Sequence, residues 1–178
     1  ADPCYERRPA MRLTHYTDFS LRVLTYLGLR PERLCTISEI AEAYGISRNH
    51  LMKVVHELGR AGFIDTVRGR NGGLRLARMP SAIRIGDVVR RMEDDFDIVA
   101  CFGAGTGGCV IAPDCRLAGM LGEALQAFLG VLDGYTLADL IVAPDRLLRH
   151  FPDMADTGMG GTDMASRDMA GKEAGAGR

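Results

Sequence analysis

Apolar residues recur at helical spacing over most of the first 140 positions, with one short alternating interruption. In THYTDFSLRVLTYLGL, residues 14–29, Phe19, Val23, Tyr26 and Leu27 fall on one face and predict a first helix. A loop containing Pro31 follows, in which Cys35 reads as a small, half-buried apolar residue. Thr36-Ile37-Ser38-Glu39 is a capping box opening a short helix that stops at Gly45. Ser47 then opens a second helix, SRNHLMKVVHELGRAG, with Leu51, Val54, Val55 and Leu58 at i, i+3, i+4 and i+7. Two short helices joined at Gly-Ile-Ser are the signature of a helix-turn-helix. The interruption comes next. FIDTVRGRNGGLRLA reads as an apolar strand, a glycine-rich turn over 69–73 and a returning strand, which is a hairpin. Pro80 ends it, and SAIRIGDVVRRMEDD predicts another helix with Ile85, Val88, Val89 and Met92 turned inward. From Arg116, Leu117, Leu121, Ala124, Phe128, Val131 and Tyr135 alternate in steps of four and three, a coiled-coil-like seam. Thr136 to Asp139 is placed to cap a last short helix.

The fold class that follows is mainly α with a small β-hairpin wing: a winged helix-turn-helix domain followed by a long dimerisation helix. Within the 178 residues it divides into a 1–10 extension before Met11, a DNA-binding domain over 11–95, a cysteine-bearing loop over 96–115, the dimerisation helix and short terminal helix over 116–150, and a tail over 151–178. The tail is mostly Gly, Ala, Asp and Met without periodicity, and disorder is expected there. A lone striped helix on a small domain pairs more often with its twin than it packs alone, so a symmetric dimer is expected. Gly119, Gly122 and Gly130 lower its intrinsic propensity, which a partner's packing has to offset.

Charge adds a direction to this outline. The net charge is −1, but residues 46–91 carry ten Lys/Arg against three Asp/Glu, and residues 92–178 carry six against fourteen. A basic middle beside an acidic remainder points to a polyanion met by one part of the molecule. On the second helix of the motif Asn49, Lys53, His56 and Arg60 lie opposite the apolar stripe, with Glu57 at the margin. Arg and Lys suit guanine and phosphate, and Asn suits adenine. Ser47, Arg48 and His50 fill the first turn, while Arg68, Arg70 and Asn71 stand at the tip of the wing where no core requires them. These ten residues are the expected contacts to double-stranded DNA. No glycine-rich phosphate loop, nucleophile elbow or acid–base pair suggests an enzyme; His15, His50, His56 and His150 are scattered. No apolar run reaches the length of a membrane span.

Cys101, Cys109 and Cys115 stand in CFGAGTGGCVIAPDC, spaced C-x7-C-x5-C. Five cysteines in all is an odd count without a disulfide framework, which favours a reduced, cytoplasmic setting and a metal role. Thiolates so close together suit zinc or an iron–sulfur cluster. No His lies between His56 and His150, so a closed zinc site would need a distant fourth ligand. Asp18, four residues before Arg22, reads by itself as a dipole-favoured carboxylate in a helical ion pair.

These segments also resemble a known family. MRLTHYTDFSLR, YGISRNHLMKVVHELGRAGF, VRGRNGGLRLA, SAIRIGDVVRRME and CVIAPDCRLAGMLGEALQAFLGVLDGYTLADL together are similar to the bacterial winged-helix iron–sulfur regulators, in particular to their nitric oxide-sensing repressors, over roughly 11–142. The resemblance implies a homodimer with one iron–sulfur cluster per subunit, [4Fe–4S] ahead of [2Fe–2S]. It implies that Cys101, Cys109 and Cys115 hold the iron and that Asp18, given by the other subunit, is the fourth ligand. It further implies that nitric oxide is the signal and that a palindromic operator is released when the cluster is nitrosylated or lost. The seven-residue gap between the first two cysteines is longer than is usual in relatives. A sister branch that regulates cluster assembly carries a His three residues after its last cysteine, where this chain has Ala118. Two rival expectations stand beside this one: a regulator of iron–sulfur assembly genes, and a winged-helix repressor that senses oxidants through its thiols.

Overall fold

A computed structural model of the chain describes residues 13–99, 111 and 114–151. Helix α1 spans His15–Gly28, α2 Ile37–Tyr44 and α3 Arg48–Arg60; strands β1 (Ile64–Val67) and β2 (Gly73–Leu76) follow. A 3-10 turn at Pro80–Ala82 leads into α4 (Ile85–Met92), then α5 (Arg116–Asp133), α6 (Leu137–Leu140) and α7 (Pro144–Leu148).

Local chemistry sets the helix ends. Thr14 caps α1 by accepting from the Thr17 N–H, and its own N–H donates to Glu93 Oε1 at 2.8 Å, which ties the start of α1 to the end of α4. The capping box of Thr36 and Glu39 is formed at α2. Gly45 ends α2 in the left-handed region, φ 63°, where a side chain would be strained. Two residues later Ser47 caps α3 by accepting from the His50 N–H. The bend between the two helices is therefore written within four residues.

The wing is a two-stranded antiparallel hairpin in register Ile64 with Leu76 and Val67 with Gly73. Cys35 extends it. Its N–H donates to Leu74 O at 3.0 Å, and the Leu74 N–H donates back to Cys35 O at 2.8 Å. This pairing pulls Cys35 into the core, where it is fully buried rather than half-buried as expected, and desolvation pushes its thiol pKa up.

The main core gathers Val23, Leu24, Tyr26 and Leu27 of α1, Ile40 of α2, the Leu51–Val54–Val55–Leu58 stripe of α3, Ile64 and Leu74 of the wing, and Val88, Met92 and Leu137. Burying such side chains contributes roughly 1.5–3 kcal/mol each, which is what holds these short helices together. Helix α4 starts at Ile85, four residues later than the sequence pattern suggested. Pro80–Ala82 takes the 3-10 turn, and Arg84 pairs as an isolated bridge with Thr136: the Ile85 N–H donates to Tyr135 O and the Leu137 N–H to Ile83 O.

A second, smaller core joins α5 to α4 through Leu125, Leu129 and Leu132 on Ile85 and Val89. Arg90 of α4 reaches both carboxylate oxygens of Asp133 at 2.5 and 2.6 Å. Gly86 makes room for that pair, since a Cβ there would collide with the Asp133 carboxylate. Phe151, read from the sequence as the first tail residue, instead packs edge-on against Tyr26 and Tyr44, with ring centroids 5.4 and 5.1 Å apart. The extension over 1–10 and the remainder of the expected tail lie outside the described residues.

Candidate nucleic-acid interface and cluster site

Helix α3 divides cleanly. Leu51, Val54, Val55 and Leu58 are buried, while Asn49, Lys53, His56 and Arg60 are exposed on the far side. Ser47, Arg48 and His50 are exposed around its first turn. Two contacts from α1 hold the helix in place. The Tyr16 hydroxyl donates to the Lys53 carbonyl at 3.0 Å, and the Phe19 ring stacks on His50 at 6.3 Å between centroids. Burial, and then the charge of Glu57, raises the Tyr16 pKa, so it stays a neutral donor. Neither contact was legible beforehand, because each joins residues more than thirty positions apart. Glu57 pairs with Arg60 at 3.1 Å and lies 3.8 Å from His56. The Lys53 ammonium has no such carboxylate partner among the described residues. At the wing Arg68, Arg70 and Asn71 are all exposed, with Gly69 between the arginines at φ 117°. The face thus presents cations and amide or imidazole heads on two separate elements, the combination that reads base edges and phosphates.

Helix α5 carries two apolar stripes about a quarter of a turn apart. One, Leu125–Leu129–Leu132, is spent on α4. The other is the seam expected from the sequence. Leu117, Ala124, Phe128, Val131 and Tyr135 are exposed and Leu121 partly so, and Met120 adds to it at 65% exposure. Among the described residues, a Cβ added at Gly119, Gly122 or Gly130 would meet nothing within 4 Å.

Of the three clustered cysteines, Cys101 and Cys109 lie outside the described residues. Cys115 is the N-cap residue of α5, partly exposed, in extended backbone, with no hydrogen bond from its side chain to the helix amides. Its sulfur is therefore not spent on capping. Asp18 sits in the first turn of α1, half-exposed, with Oδ2 2.8 Å from Arg22 Nη2. Among the described residues no group of three or more His, Cys, Asp or Glu side chains converges as a metal site. Thiolates are the donors that suit an iron–sulfur cluster. A sulfur at the head of α5, unspent on the helix, is consistent with that use.

The fold is that of the winged-helix regulators, and the chain's relatives are transcription regulators, not enzymes. The chain belongs to the Rrf2 family, described as iron-dependent transcriptional regulators, which it matches over residues 13–143. It is 54% identical over 140 residues to the HTH-type transcriptional regulator NsrR of Bacillus subtilis (strain 168), spanning 78% of this chain and 96% of that one. It is likewise 54% identical over 132 residues to the NsrR of Geobacillus kaustophilus (strain HTA426), covering 74% and 90%. Among solved structures it resembles T. potens IscR, with a TM-score of 0.62 at 24% identity over 78% of this chain and 91% of that one. It also resembles CymR, the global cysteine regulator of B. subtilis, with a TM-score of 0.57 at 25% identity over 75% and 98%. Among the described residues no helix is long and apolar enough to cross a membrane.

Proposed function

We propose that the chain is a homodimeric, cytoplasmic repressor that binds a palindromic operator while its iron–sulfur cluster is intact and releases it on reaction with nitric oxide. The observation that carries this reading is the joint presence of a cationic α3 face, an arginine-tipped wing and the C-x7-C-x5-C segment in a chain that matches NsrR proteins at 50–54% identity.

In this account Ser47, Arg48, Asn49, His50, Lys53, His56 and Arg60 enter the major groove and Arg68, Arg70 and Asn71 follow the backbone or the minor groove. The exposed seam of α5, Leu117, Leu121, Ala124, Phe128, Val131 and Tyr135, packs on its twin, and the two-fold axis sets the half-site spacing at one turn of DNA or a multiple. Cys101, Cys109 and Cys115 hold the cluster, [4Fe–4S] ahead of [2Fe–2S], with Asp18 from the other subunit as the fourth ligand. When bound, the cluster supplies an iron whose oxygen ligand is the weakest of the four and open to exchange with a small neutral molecule such as nitric oxide.

The protein's part is positional. Cys115 begins α5, so tethering it fixes the head of the dimer helix. Asp18 lies on α1, which holds α3 through Tyr16 and Phe19, so its engagement across the dimer bears on where the two α3 helices stand. Losing the fit of the two α3 helices to their half-sites is on the scale a switch requires: specific contacts of a whole protein exceed non-specific ones by roughly 4–10 kcal/mol, and near-complete switching needs about 5.5. Cys109→Ala tests the reading. It is expected to remove both the visible absorbance of anaerobically purified protein and its operator binding; a colourless variant that still binds the operator and sheds it on nitric oxide treatment overturns it.

A further inference from the structure

Among the exposed large apolar side chains of the described residues, Met52 alone belongs to α3, at 49% exposure. It is three residues after Asn49 and four before His56, and so stands within the polar face. It is a member of neither hydrophobic core, and the buried stripe of the helix begins beside it at Leu51 and resumes at Val54. Among the described residues neither core therefore requires an apolar group at position 52. Alanine would serve the helix at least as well and would leave less hydrocarbon in water.

We infer that Met52 is a specificity-determining residue that reads a thymine through its C5-methyl group in each half-site. The inference rests on the DNA-binding role of α3 proposed above. Of the four base pairs only those with thymine offer an apolar group in the major groove, and that group is met by hydrocarbon rather than by a hydrogen-bonding head. The neighbours fit the assignment. Asn49 suits adenine and the cationic Lys53 suits guanine or phosphate, but neither meets a methyl group favourably. The thioether chain is unbranched and adaptable, suited to lying against a base edge whose position shifts slightly from site to site.

The test uses full-length, anaerobically purified protein and a duplex enriched by it from a random pool. Each thymine of that duplex is replaced in turn by deoxyuridine, which deletes only the methyl group. One thymine in each half-site is expected to be methyl-sensitive, with affinity falling about fourfold for deletion of one buried methyl group. Met52→Ala, which removes the contact from both half-sites of the dimer, is expected to bind the parent duplex about sixteenfold more weakly, to be indifferent to the same replacement, and to melt at the wild-type temperature. Methyl deletions that weaken wild type and Met52→Ala equally, or that weaken neither, overturn the assignment. Failure to enrich any sequence at all would instead overturn the DNA-reading role of α3.

Discussion

The Asp18 carboxylate lies 2.8 Å from the Arg22 guanidinium one turn further along α1, with both side chains 42% exposed. An exposed i,i+4 pair of this kind contributes about 0.5 kcal/mol or less. In cluster-free protein Asp18→Ala is therefore expected to leave the melting temperature nearly unchanged. If the carboxylate is an iron ligand, the same substitution alters the visible spectrum of the holoprotein and the rate of its reaction with nitric oxide. An unaltered spectrum and rate would return Asp18 to the role of a helix pair alone.

Lys53 offers the cleanest separation of DNA binding from folding. Its side chain is exposed, and its backbone carbonyl, which accepts from Tyr16, survives substitution. Lys53→Ala is expected to weaken binding to all duplexes. If Lys53 neutralises one phosphate, the slope of log K against log salt concentration becomes shallower by about 1. Fluorescence anisotropy over a salt series measures this, and circular dichroism checks that the fold is kept.

The two stripes of α5 make opposite predictions. Leu129 is 5% exposed against Ile85 and Val89, so Leu129→Ala should destabilise the subunit by roughly 2–4 kcal/mol. Val131, 62% exposed, is a member of neither core; Val131→Asp should leave the subunit folded and halve the mass found by light scattering. A dimer that survives Val131→Asp would move the interface away from this seam.

Glu39 gives the protein a defined acid limit. Burial alone would raise its carboxyl, but hydrogen bonds from the Arg33 guanidinium, the Tyr26 hydroxyl and the Thr36 N–H outweigh that and hold it below the usual carboxylate range. A depressed native pKa stabilises the fold above the unfolded value of about 4.3, and the contribution is lost as pH falls through the lower native value. Glu39→Gln should therefore melt below wild type at neutral pH, and the gap should close as the pH drops under about 4. Glu39→Ala, which also removes half of the capping box and leaves the Tyr26 hydroxyl unpaired, should cost about 2 kcal/mol.

Sequence-legible features are those whose causes are local. Thr36 with Glu39, Gly45, and Ser47 with His50 act across three residues or fewer, so the helix-turn-helix could be traced before any coordinates. The apolar stripe of α3 and the seam of α5 follow from the helical period alone. What escaped depends on distant partners. Cys35 is buried by Leu74, α4 is delayed by the bridge between Arg84 and Thr136, and Phe151 is captured by Tyr26 and Tyr44. Helix α7 was missed because five residues opened by Pro144 carry too little periodicity to register. At the site, the spacing of Cys101, Cys109 and Cys115 and the cationic face were visible, whereas the hold of Tyr16 and Phe19 on α3 was not.

The most direct measurement follows operator affinity and visible absorbance together while anaerobic holoprotein is titrated with nitric oxide, with cluster-free protein measured alongside. Affinity is expected to fall in step with the cluster absorbance, and the cluster-free protein to bind operator no better than random duplex. Cluster-free protein that binds the operator as tightly as the holoprotein, and lets go only when nitric oxide is added, would contradict a cluster-held switch.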